Sequence, residues 1–150
     1  MPDQEDCTFE IFDSSVFVEA IADTSGRKEE AREAIYNVKT ADNRIPISHE
    51  LIIGEVKDFF RDSDSWGDDV DRQRAERKFE EMIEDFKFVK IDLEEYKEEL
   101  TYLIEEKTRI ASEFNDALIV AIGLSIDEIT KIHTTDDWSL RDRNIDINSI

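Results

Sequence analysis

Apolar and polar positions alternate along this chain in two rhythms, a period of two over short stretches and a helical period over longer ones. Phe9, Ile11 and Phe12 in TFEIF are strand formers, and the Val16, Phe17, Ala20 and Ile21 stripe that follows is helical. Asp13-Ser14-Ser15 between them is cap chemistry for that helix. The Ser25-Gly26 break precedes a second helix over 27–38, with Ala31, Ala34, Ile35 and Val38 as its stripe. RIPI at 44–47 is a short strand whose Pro46 signals an edge or a strand end. Ser48 then caps a helix over 49–60 with Ile52, Val56, Phe59 and Phe60 inward.

The polar loop 61–71 follows. Its DSDSWG opens like a calcium loop, but Trp66 replaces an oxygen ligand, and Gln73 stands where a bidentate Glu is needed, so calcium is excluded. The stripe Ala75, Phe79, Met82, Ile83 and Phe86 predicts a helix over 70–86, and FVKI at 88–91 a strand. A long amphipathic helix is expected over 93–111, and FNDALIVAIGL at 114–124 is apolar on every side except Asn115 and Asp116. ITKI at 129–132 and NIDI at 144–147 complete the strands. Strands alternating with helices predict an α/β fold, a three-layer α/β/α sandwich around a parallel sheet of four or five strands. The 150 residues fit a single domain.

Composition narrows the chemistry. Hydrophobic and charged residues each make up 39% of the chain, as in a globular protein with a heavily charged surface. The acidic start MPDQED is unlike a signal peptide, and the longest apolar run is too short for a bilayer, so the chain reads as cytoplasmic with no membrane partner. Cys7 is the only cysteine, which rules out an intrachain disulfide and thiolate metal clusters. With His49 and His133 as the only histidines, a metal site here is mainly oxygen and suits Mg²⁺ or Mn²⁺.

Several acids fall at positions where chemistry collects. Asp13 and Asp136 each follow the end of a strand, and in an all-parallel sheet both leave from the carboxyl edge, where ligands bind in open α/β folds. Asp13 also reads as a plain helix cap, and that alternative stays open. Glu55 falls between Ile52 and Phe59 beside the apolar stripe, either paired in the interior or with its head in water. Gly54 beside it is the kind of residue tolerated where another backbone comes close. Asp116 lies in the first turn of a buried helix, where the macrodipole favours a negative charge. Carboxylates sharing one cleft repel one another unless a cation sits between them, an arrangement suited to metal-assisted hydrolysis of phosphodiesters.

The stretches IFDSSVFVEA, ISHELIIGEV, FNDALIVAIGLS and HTTDDW, taken in series, resemble the four motifs of the PIN domain, the fold of many metal-dependent nucleases and of VapC-type toxins. The resemblance spans nearly the whole chain. It implies site acids at Asp13, Glu55, Asp116 and Asp136, with Asp13, Asp116 and Asp136 on the metal, and Ser14, Ser15, Asn115 and Thr135 as supporting groups. Asp137 competes with Asp136 for the fourth acid. It further implies Mg²⁺- or Mn²⁺-dependent cleavage of single-stranded RNA, an antitoxin partner and a homodimer.

Charge is where the chain departs from that pattern. Its 39 acidic and 19 basic residues leave a net charge of -20, against the usual demand of phosphate binding for clustered cations. Arg72, Arg74, Arg77 and Lys78 form the best local basic patch and are the expected substrate-binding residues, unless they serve as a salt-bridged helix surface. A salt-rich cytoplasm would screen the remaining acids. The charge also keeps a second function class in view, a PIN-like RNA-processing scaffold or protein-binding module with little turnover.

Overall fold

The computed structural model describes residues 7–62, 69–89, 94, 97, 98, 101, 119–123, 126, 128–135 and 146–150. Five strands, β1 (Thr8–Phe12), β2 (Arg44–His49), β3 (Lys87–Val89), β4 (Ile129–Thr134) and β5 (Asp146–Ser149), form one sheet in the order β3-β2-β1-β4-β5. Every pairing is parallel. Helices α1 (Ser14–Ala22) and α2 (Lys28–Thr40) link β1 to β2, and α3 (Leu51–Asp62) and α4 (Asp69–Ile83) link β2 to β3.

This order sets the layers. From β1 the chain steps twice in one direction, so right-handed crossovers place α1 to α4 on one face of the sheet. Before β4, the described helical residues 119–122 pack on the other face. Packing agrees with that assignment. Phe12 on β1 clusters with Val16, Phe17, Val56, Phe60 and Phe79, while Ile11, its neighbour, packs with Ile47, Ile132 and the helical residues Ile119 to Ile122. Period-two alternation sends these two side chains to opposite faces. Burying a Phe such as Phe17, which is fully covered, contributes about 2–3 kcal/mol.

Most of the expected elements form, and the differences have local causes. Ser48 does not cap α3: β2 runs on through His49, and the Ser48 hydroxyl donates to the Phe12 carbonyl at 2.7 Å. Pairing with Phe88 of β3 on one side and this bond to β1 on the other hold the residue in the sheet. Pro46 lies inside β2 opposite Glu10 of β1, not at an edge strand, and β3 begins pairing one residue later, at Ile47. Gly54 is exposed, and a β-carbon there would meet no described atom within 4 Å, so close backbone approach does not explain it. α4 stops at Ile83, and Phe86 joins the core from the turn beyond. Most of the helix expected over 93–111, most of that over 114–124, the second half of the 88–91 strand and the first half of the 144–147 strand lie outside the described residues. Among the described residues no helix is long and apolar enough to cross a membrane.

Candidate active site

β1 lies at the centre of the sheet. The connection after it leaves on one face, whereas the step from β4 to β5 runs in the opposite direction, so a crevice opens between the carboxyl ends of β1 and β4. Asp13 sits at its head. Its backbone N–H donates to the His133 carbonyl at 3.0 Å, which continues the ladder by one residue. Its extended φ of -75° and ψ of 153° place the side chain as the N-cap of α1.

The Asp13 carboxylate is 4% exposed and densely held. Oδ1 accepts the Ser14 N–H at 2.9 Å; Oδ2 accepts the Ser15 hydroxyl at 2.8 Å and the Thr134 hydroxyl at 3.2 Å. Ser15 is a junction, since its Oγ also accepts the Thr135 N–H at 3.1 Å. Replacing Ser15 with Ala removes a donor to a buried carboxylate and the acceptor of a part-buried amide. We expect a loss of about 1–3 kcal/mol in thermal melting; an unchanged melting temperature would show the junction carries no weight.

Glu55 reaches the same place from α3. The Ser14 hydroxyl donates to its Oε2 at 3.2 Å, so two carboxylates from separate elements are joined through one serine. Glu55 is half-buried, between the two placements that its position beside the stripe allowed. Asn115, Asp116, Asp136 and Asp137 lie outside the described residues. In sequence Asp136 directly follows Thr135, whose amide is bound to Ser15. Among the described residues no group of three or more His, Cys, Asp or Glu side chains is placed to hold a metal.

Of the two histidines, His133 is engaged elsewhere, and His49 keeps a buried Nδ1 without a hydrogen-bond partner among the described residues. His49 is 1% exposed at the end of β2, and burial holds its pKa down at about 4. His133 is buried on the face opposite Asp13, stacked on Phe12 with ring centroids 4.3 Å apart. Its Nε2 lies 2.8 Å from Glu10 Oε1 and its Nδ1 3.0 Å from Asn148 Nδ2. Among the described residues the side chains bonded around Asp13 at the β1–β4 crevice, Ser14, Ser15, Glu55 and Thr134, offer oxygens, a donor chemistry that fits a hard cation such as Mg²⁺ or Mn²⁺.

The expected basic patch is divided along α4. Arg72 is half-buried in its second turn, while Arg74 and Arg77 are exposed. Lys78 lines a groove of about 520 Å³ between α2 and α4 with Ile35, Tyr36, Lys39 and Met82. Those parts of the two helices lead into the starts of β2 and β3, so the groove lies towards the amino edge, away from Asp13.

Three features escaped the sequence reading. The hydroxyl on Asp13 from β4 is that of Thr134, not Thr135; the alternation that pairs Phe12 with His133 also sets Thr134 beside Asp13, and was a usable signal. Glu19, 1% exposed, accepts the Thr24 hydroxyl at 2.6 Å and the Arg27 N–H at 2.7 Å, and so folds the turn between α1 and α2. That turn delivers Arg27 to the crevice, where its Nη2 donates to the Thr135 carbonyl at 3.3 Å.

No family model matches the sequence, and no curated protein matches it. Solved structures do. One is VapBC2 from Rickettsia felis bound to a DNA fragment from its promoter, with a TM-score of 0.65 at 14% identity over 93% of this chain and 97% of the other. A second is VapBC-5, a member of the VapBC family of toxin-antitoxin systems from Mycobacterium tuberculosis, with a TM-score of 0.59 at 17% identity over 95% of this chain and 99% of the other. The five-stranded parallel sheet, its helices on both faces and these neighbours together identify the architecture: the chain has a PIN-like α/β/α fold.

Proposed function

We propose that this chain is a metal-dependent endoribonuclease acting on single-stranded RNA, and the toxin of a toxin-antitoxin pair. The observation that carries the reading is the junction of Asp13 and Glu55 through Ser14 at the crevice between β1 and β4, in a fold shared with chains of VapBC structures. Asp13, Asp116 and Asp136 would hold Mg²⁺ or Mn²⁺, with Glu55 beside them. When bound, the cation lowers the pKa of a water and neutralises charge on the phosphate. The protein's own work is positional: Ser14, Ser15 and Thr134 donate to the Asp13 carboxylate, and Ser14 ties Glu55 to it, which supports holding these two acids side by side. Asn115 and Asp137 are assigned as supporting residues on the sequence pattern. The whole chain acts as one PIN-like domain in the cytoplasm, as a homodimer, and an antitoxin protein restrains it.

The test is cleavage of a mixed single-stranded RNA in Mn²⁺, in chelator, and by Asp116→Asn. Cleavage is expected in Mn²⁺ alone, with Asp116→Asn at or below about a hundredth of the wild-type rate. Wild-type protein that binds this RNA without cutting it would support the scaffold reading, which the net charge of -20 favours.

A further inference from the structure

A chain with about twice as many acids as bases repels RNA at most of its surface, so phosphate binding needs a local cation. Several described cations are neutralised by acids: Arg44 by Glu10, Arg61 by Glu76, Lys39 by Asp85, Lys57 by Glu80 and Lys131 by Asp146. Arg27 is different. Its guanidinium donates Nε–H to the Ser25 hydroxyl at 3.0 Å and Nη2–H to the Thr135 carbonyl at 3.3 Å, and among the described residues it makes no ion pair. Two of its five N–H donors are used to fix the fork, leaving three to bind something else.

Its position is built rather than incidental. The turn that carries it is anchored by the buried Glu19 carboxylate, which accepts the Ser25 and Arg27 backbone N–H groups as well as the Thr24 hydroxyl. Burial alone would raise the pKa of Glu19, but those hydrogen bonds prevail and lower it, so the anchor is ionised at neutral pH. Gly26, at φ +76°, makes the reversal that aims the next residue back at the crevice. From Arg27 the path to the site acid is short: Thr135 carbonyl, Thr135 amide, Ser15 hydroxyl, Asp13 carboxylate.

We propose that Arg27 binds the phosphate backbone of the RNA beside Asp13, supplying at the crevice the cation that the surface as a whole lacks. A planar fork held on one side by neutral oxygens presents its remaining donors in fixed geometry, which suits a phosphate's paired oxygens better than a lysine would. The inference rests on the nuclease reading for its substrate, and its test separates the two.

Cleavage kinetics of wild type, Arg27→Lys and Arg27→Ala in Mn²⁺ are compared alongside their melting curves. For Arg27→Ala we expect KM to rise about ten- to a hundredfold with kcat within about threefold of wild type. Arg27→Lys should recover part of that loss. Binding of a fluorescent RNA oligonucleotide by wild type and Arg27→Ala, followed against salt, should lose about 0.7 from the slope of log K on log salt per phosphate contact removed. An unchanged KM, or a fall in kcat alone, would reduce Arg27 to a support for Thr135 and overturn the proposal. If wild type cleaves no RNA, the nuclease reading fails by itself. The binding arm then decides Arg27, and equal affinity and slope, including no binding by either protein, rule it out.

Discussion

Asp13→Asn is expected to remove RNA cleavage, by about a thousandfold or more, from a protein that still folds. Asparagine is as good an N-cap as aspartate, so α1 keeps its start, and the amide oxygen still accepts the Ser14 N–H. The hydroxyls of Ser15 and Thr134 rotate freely enough to face an amide group where they now face a carboxylate oxygen. What the substitution takes away is a negative charge in a site proposed to hold a divalent cation, together with its charge-assisted hydrogen bonds. A stability loss of about 1–2 kcal/mol is expected from the latter. A thousandfold in rate corresponds to about 4 kcal/mol of transition-state stabilisation, within what one bound metal supplies. The decisive pair of measurements is cleavage in Mn²⁺ and a thermal melt on the same sample. Cleavage within a few-fold of wild type would leave Asp13 as a cap and nothing more.

The second large effect lies on the other face of the sheet. Glu10, 3% exposed on β1, is bound by both Arg44 Nε and Nη2 from β2 and by His133 from β4, which in turn meets Asn148 on β5. Burial pushes the Glu10 carboxyl up, but the hydrogen bonds from Arg44 and His133 outweigh it and bring the pKa down to about 2. Burial lowers the pKa of His133, with the Glu10 hydrogen bond opposing it. A neutral ring donating from Nε2 to Glu10 and accepting at Nδ1 from Asn148 satisfies the whole chain. Glu10→Ala removes the acceptor of a partly exposed guanidinium and of the buried His133 ring, and should destabilise the fold by about 2–3 kcal/mol.

The pH dependence has a definite sign. Between its ordinary value of 4.5 and about 2, Glu10 binds fewer protons folded than unfolded, so stability falls as the pH falls through that window. The stabilisation is fully present above pH 4.5 and amounts to roughly 3 kcal/mol. Glu10→Gln should therefore flatten the acid limb of a denaturant-melt series below pH 4.5 while lowering stability at pH 7. A variant with the wild-type acid limb would mean another group drives acid unfolding.

What could be read from residues alone followed the range of the interactions. Strands, helices and the sheet class came from local periodicity, and Asp13 stood out because a strand former, an acid and two serines are contiguous. Glu55 was visible because a carboxylate beside an apolar stripe is costly without a partner. Glu10 was not, because a lone acid alternating with Phe9 and Ile11 reads as an outward-facing residue, and its partners are 34 and 123 positions away. Arg27 was hidden in a different manner: it was read as the first residue of a solvated helix, and only the folded turn sets it against Thr135. Ser48 misled because the same side chain that caps helices can also bond a neighbouring strand, and pairing with β3 together with the bond to β1 decided between them.

Among the described residues the outermost strands, β3 with three and β5 with four, carry a consequence for assembly. Such short margins offer an incoming chain few backbone groups to zip onto, which is how natural proteins discourage open-ended stacking.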